Sequence, residues 1–131
     1  MAKIAIVMGS KSDEKFMEGA ITIMKEKGVD HEVFILSAHR QPEAVREFAR
    51  SAKEKGFKVI IAGAGYAAHL PGMIAAYTDL PVLGVPLPTS DLRGVDSLLS
   101  IIQMPKGVPV ATFGIGSAGA KNAALFALKL I

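Results

Sequence analysis

The chain has 131 residues, half of them apolar and only 6% aromatic, with a net charge of +3 and no cysteine. That length suits one domain over residues 1–131, and the apolar content excludes a disordered chain. The small charge excludes an electrostatic nucleic-acid binder, and the lack of cysteine excludes a disulfide scaffold, a thiolate zinc site and a cysteine nucleophile.

Lys3–Met8 is a short apolar run ending at Gly9, which suits a strand buried on both faces. It is too short for the apolar core of a signal peptide. Asp13 is expected to cap a helix over residues 14–27, stopped by Gly28. Residues 30–36 read as a second strand. Pro42 suits the first turn of a helix running to residue 55, with Gly56 just past its end. Residues 58–62 read as a third strand. A Gly-rich loop and a short helix over 70–76 follow. Residues 81–85 then read as strand, 95–103 as helix and 108–113 as a fifth strand. The last helix covers 122–131 and opens near Ser117 or Ala118.

Strands and helices alternate, so the fold class is α/β: a three-layer αβα, doubly wound, parallel five-stranded sheet. The flavodoxin-like order 2-1-3-4-5 is the expected arrangement. Residues 59–78 carry no Asp, Glu, Lys or Arg, which is long enough to test as a membrane span. Gly63, Gly65, His69, Pro71 and Gly72 interrupt it, so it reads as strand, loop and helix, with no membrane partner. A soluble, cytoplasmic protein is expected. Residues 1–65 hold 11 basic and 9 acidic side chains, whereas residues 66–131 hold 4 and 3. A half so poor in charge reads either as a subunit interface or as an ordinary α/β core.

In an open parallel sheet, ligands bind outside the carboxyl ends of the strands. The segment after each strand is therefore where chemistry belongs. The first is Gly9-Ser10-Lys11-Ser12-Asp13, small residues and hydroxyls before a helix N-terminus, which suits an anion. The second is Ser37-Ala38-His39-Arg40-Gln41-Pro42. Arginine forks onto phosphate, and histidine exchanges protons near neutral pH. The third is Gly63-Ala64-Gly65-Tyr66-Ala67-Ala68-His69, in which Gly63 and Gly65 allow close backbone approach and His69 is a second candidate for proton chemistry. Pro86 to Ser90 follows the fourth strand, and Gly114, Gly116 and Gly119 follow the fifth. Each loop alone also has an ordinary reading: a capped turn, an exposed polar loop, a structural histidine. The case rests on four such loops converging at one edge.

Two motif matches fail on context. GAGYAA fits the dinucleotide fingerprint but follows the third strand, and Asp79 falls before the fourth strand instead of at its end. Gly114 to Lys121 nearly reads as a P-loop, but Ala120 replaces the glycine before the lysine and Asn122 replaces the magnesium-binding Ser or Thr. No metal site is expected, because His31 starts the second strand, at the opposite end from His39 and His69.

Together, MGSKSD, SAHRQP, AGAGYAAHLPGM, LGVP and GVDSLLSIIQMPKGVPVATFGIGSAGAKNAAL resemble the N5-carboxyaminoimidazole ribonucleotide mutases, the class I aminoimidazole ribonucleotide carboxylases of purine biosynthesis. The resemblance covers nearly the whole chain. It implies a ribonucleotide substrate, carboxylate transfer through CO2, and no metal, ATP or biotin. It implies His39 as the catalytic histidine and Arg40 as a phosphate ligand, with Ser37 in the same motif. Ser10, Ser12 and Asp13 match the phosphoribosyl loop. Gly63, Ala64, Gly65 and His69 match the loop enclosing imidazole and carboxylate, and Leu70 and Met73 are expected to wall it. The resemblance also implies a homo-octamer. Direct carboxylation of aminoimidazole ribonucleotide, or a non-catalytic nucleotide-binding module, remain alternatives.

The chain departs from the family at three positions: Tyr66 stands where glycine is usual, Glu14 replaces an aromatic residue, and Gln41 replaces threonine. Many relatives also carry a helical tail beyond the position of Ile131, which leaves the detailed assembly open.

Overall fold

The computed structural model describes residues 3–131, so the first two residues of the expected domain lie outside it. The strands are β1 (Lys3–Met8), β2 (Asp30–Ile35), β3 (Phe57–Ala64), β4 (Val82–Pro86) and β5 (Ala111–Thr112). They alternate with α1 (Glu14–Glu26), α2 (Pro42–Ser51), α3 (Leu70–Tyr77), α4 (Val95–Ile102) and α5 (Ser117–Lys129). All pairs are parallel, in the expected order 2-1-3-4-5. Parallel neighbours need a crossover, and α1 to α4 supply the four that join five strands, while α5 follows the last strand.

Side chains alternate across a strand, so an apolar run such as KIAIVM must bury both faces. Ile4, Ile6 and Met8 pack with Met17, Ala20 and Met24 of α1 and with Ala120, Ala123, Ala124 and Ala127 of α5. Ala5 and Val7 pack on the other side with Val45 and Phe48 of α2, Ile74 of α3 and Ile101 of α4. The alanine face of α5 is what lets that helix lie close to the sheet and to α1.

Several boundaries differ from those read in the sequence, each for a local reason. β3 runs to Ala64 because Gly63 and Ala64 still pair with Val85 and Pro86 of β4. α2 ends at Ser51, and turns then lead to Gly56, whose φ of 94° directs the chain into β3. β5 shrinks to two residues, pairing only Leu83 with Ala111 and Gly84 with Thr112. Pro109 has no N–H to give, and the Val108 amide is taken by Pro105 in a turn, so the edge ladder cannot begin earlier.

Asp13 does not cap α1. A 3-10 turn over Lys11–Asp13 precedes the helix, and Ser10 caps that turn, its Oγ accepting from the Ser12 amide at 3.2 Å. The added turn moves the free amides forward in the chain. It leaves Asp13 in a helical conformation, at φ −78° and ψ −16°, not the extended one a cap needs.

Candidate active site

The sheet turns from one side to the other between β1 and β3, and the loops after β1, β2 and β3 meet there. They enclose a cavity of about 510 Å³, a size that fits a small-molecule ligand. Ser10, Ser12, Asp13, Ser37, His39, Arg40, Ala64, Gly65, Tyr66, His69 and Leu70 line it, together with Thr89 from the loop after β4.

After β1, the Ser10 and Ser12 hydroxyls lie 2.9 Å apart. Beside them Asp13 is only 6% exposed. Its burial pushes the carboxyl pKa up, more than the facing amides of Ser10 and Gly9 pull it down. Between the ordinary carboxyl pKa and the raised one, the folded chain holds more proton than the unfolded chain. Stability is therefore lost as pH rises through that window. Asp13→Asn removes this dependence. Urea midpoints at pH 4 and pH 7 are expected to favour the variant, relative to wild type, more at pH 7. A wild-type and variant difference that stays constant between the two pH values would refute this origin.

After β2, a tight turn projects His39 and Arg40 outward. The Gln41 amide donates to Ser37 O at 2.8 Å, and the Arg40 amide donates to Ser37 Oγ at 3.2 Å. The Gln41 side chain closes the loop by accepting from the Ser37 amide at 3.2 Å. Gln41 thus braces the turn that carries both candidate side chains.

After β3, the chain bends through Gly65, Tyr66 and Ala67 before α3. A Cβ on Gly65 would overlap the Thr89 hydroxyl and come within 3.4 Å of the Leu87 carbonyl. Tyr66 adopts φ 55°, a left-handed conformation that costs an L-residue about 1–2 kcal/mol. Ala68 and Leu70 are each 2% exposed and pin the chain on both sides of His69. His69 is left pointing to the cavity from the threshold of α3.

The loops bring the two histidines together. His39 Nε2 lies 2.7 Å from His69 Nδ1, with the rings edge-on at 79°. At that separation one nitrogen carries the hydrogen and the other offers its lone pair. The pair thus holds an acid and a base side by side, on two loops that are 30 residues apart in sequence.

Several expected positions lie elsewhere. Met73 does not line the cavity but packs, partly buried, against the core cluster that holds Ile74 and Ile101. Gly63 is inside β3 and off the cavity; a Cβ there would come 2.5 Å from Met17 Sδ, so its smallness serves packing against α1. The loop after β5 does not reach the cavity, since Gly114 is held against Gly119. Thr89 was not singled out in the sequence, although a hydroxyl just past the end of β4 is the signal that would have found it. His31 is far from the pair, its Nδ1 2.8 Å from the Val29 carbonyl. Among the described residues, no cluster of three or more His, Asp or Glu is placed to hold a metal. No helix among them is long and apolar enough to cross a membrane.

A doubly wound parallel sheet with a cavity and a histidine pair at its switch point defines an α/β protein with a candidate small-molecule site. The particular family follows from comparison: residues 3–131 match the family described as AIR carboxylase, and the chain belongs to it. It is 56% identical over 131 residues to the N5-carboxyaminoimidazole ribonucleotide mutase of Saccharolobus solfataricus, covering all of this chain and 82% of that protein. It is 58% identical over 130 residues to the enzyme of the same name from Escherichia coli K12, covering 99% of this chain and 77% of that one. Among solved structures, PurE of Treponema denticola superposes with a TM-score of 0.85 at 26% identity, covering 98% of this chain and 79% of the other.

Proposed function

We propose that the chain converts N5-carboxyaminoimidazole ribonucleotide to 4-carboxy-5-aminoimidazole ribonucleotide, a step of purine biosynthesis. The observation that carries the reading is the His39–His69 pair at 2.7 Å, in a protein whose relatives bear that enzyme name over nearly its whole length.

The chemistry needs one proton given and one taken. A proton delivered to the carbamate nitrogen breaks the N–C bond, whose electron pair stays on that nitrogen. CO2 and the neutral aminoimidazole result. The ring carbon then attacks CO2 with its own electron pair, forming the new C–C bond. Loss of the proton from that carbon restores the aromatic ring. One histidine performs both transfers, as acid and then as base. His39 has that role, and its partner His69 orients it and the departing carboxylate.

The remaining residues divide by charge. Ser10, Ser12 and the Arg40 guanidinium take the phosphate, because they offer donors and positive charge. Ser37 holds the Arg40 turn. Asp13 is an acceptor when ionised and repels phosphate, so it takes the ribose hydroxyls. Ala64, Gly65 and His69 enclose the imidazole and the transferred carboxylate, with Leu70 as an apolar wall that keeps water from CO2.

The exposed apolar faces of α4 and α5, with Val95, Leu99, Ile102, Leu125 and Phe126, support self-assembly, and the number of eight chains is what the family resemblance implies. Light scattering is expected to give an octamer mass; a monomer at micromolar concentration contradicts it.

The reading is tested by comparing kcat/KM for the carbamate substrate with that for aminoimidazole ribonucleotide plus bicarbonate. The mutase reading expects a clear preference for the carbamate. Preference for the free amine would instead make the chain a direct carboxylase, and tight binding without turnover would make it a binding module.

A further inference from the structure

We propose that Tyr66 forms an aromatic wall against the heterocycle of the bound ribonucleotide, an inference that rests on the substrate reading above. Tyr66 is the one phenyl-type ring lining the cavity; its other lining side chains are small, polar, imidazole or aliphatic. Its backbone sits at φ 55°, where an L side chain is strained. The ring is 62% exposed, so packing in the unliganded chain offsets little of that strain.

The bend cannot relax easily. Gly65 is backed by Thr89 and the Leu87 carbonyl, and Ala68 is buried. The backbone on both sides thus sets where the ring stands. A strained residue with an uncovered face, held at the mouth of a cavity, gains its contacts when a ligand arrives. An aminoimidazole is flat and presents a π-face, and such rings stack on aromatic side chains regardless of their edge chemistry. The geometry leaves the His39–His69 pair to work on the edge of the ring while Tyr66 covers its face.

The test uses the fact that the chain has two tyrosines and no tryptophan. Tyr77 lies at the C-terminal end of α3, 5.0 Å from Arg50, and lines a different cavity. In Tyr77→Phe protein, all tyrosine fluorescence therefore comes from Tyr66. It is expected to change saturably as 4-carboxy-5-aminoimidazole ribonucleotide is added, whereas the fluorescence of Tyr66→Phe protein stays flat. In kinetics, Tyr66→Leu keeps the strained Cβ but loses the ring, and is expected to raise KM by about fivefold or more with a smaller change in kcat. Tyr66→Phe is expected to recover most of that loss. An unmoved KM in Tyr66→Leu, or flat fluorescence of Tyr77→Phe under ribonucleotide that calorimetry shows to be bound, overturns the inference while leaving the mutase reading intact. Absence of turnover by the wild-type chain counts against both.

Discussion

Replacing His39 with asparagine is expected to lower kcat about a hundredfold to ten-thousandfold, the range in which a positioned acid–base group contributes. In barrier terms that is about 3–5 kcal/mol. Asparagine keeps a polar amide near where the ring's Nδ1 stood but falls short of Nε2, and that amide neither gives nor takes a proton at neutral pH. Ribonucleotide binding should survive, because the phosphate and ribose contacts come from Ser10, Ser12, Asp13 and Arg40. A change in Kd below about tenfold is expected, the worth of one hydrogen bond. Folding should also survive, since both histidines are exposed and pin no core. Single-turnover rates and calorimetry on the same protein check the two halves separately. Turnover near wild type would remove His39 from the chemistry.

Gly119→Ala is expected to cost about 3 kcal/mol or more of stability, with Tm lowered by about 10 °C. A Cβ at Gly119 would overlap the Gly114 carbonyl oxygen and come 2.5 Å from its carbon. Both are backbone atoms and cannot swing aside as a side chain can. Relief requires lifting the start of α5, and with it the alanines that pack on Ile4, Ile6 and Val59. Gly72→Ala is the control. There a Cβ would come 3.0 Å from the end of Met104, a flexible side chain with room to rotate. Thermal melts of the two variants should differ clearly. Equal melting points would mean that the Gly114–Gly119 contact is not a rigid constraint.

How legible these features were in the sequence depends on how local their causes are. β1 and β3 were readable because their apolar runs must be buried on both faces. Alternation and the right-handed crossover rule made a doubly wound parallel sheet legible but do not fix its strand order; 2-1-3-4-5 was the expected choice among them, and the strand pairing bears it out. The ends of β3 and β5 were not readable. Whether Gly63 and Ala64 count as strand depends on partners in β4, and Pro109 shows its effect only once β5 is known to be an edge strand. Asp13 was a plausible cap by residue type. The extra turn that Ser10 caps became visible only with the backbone.

The site divides in the same way. His39 and Arg40 stood out because a histidine beside an arginine at a strand end is unusual, and the resemblance of SAHRQP to a known motif reinforced it. The contact between His39 and His69 was not visible, since nothing in either loop states that they meet. Thr89 was passed over because its role beside the cavity depends on its contact with Gly65, which only the fold brings about. The strain at Tyr66 likewise needed the folded backbone and its φ, although its substitution for glycine was apparent in the chain.

The most direct test of the account is a crystal structure of the chain with 4-carboxy-5-aminoimidazole ribonucleotide bound. The account predicts phosphate at Ser10, Ser12 and Arg40, and the carboxylated ring carbon within hydrogen-bonding reach of His39. Ribonucleotide seated elsewhere, such as the cavity beside Arg50 and Tyr77, with the His39–His69 cavity empty, would contradict it.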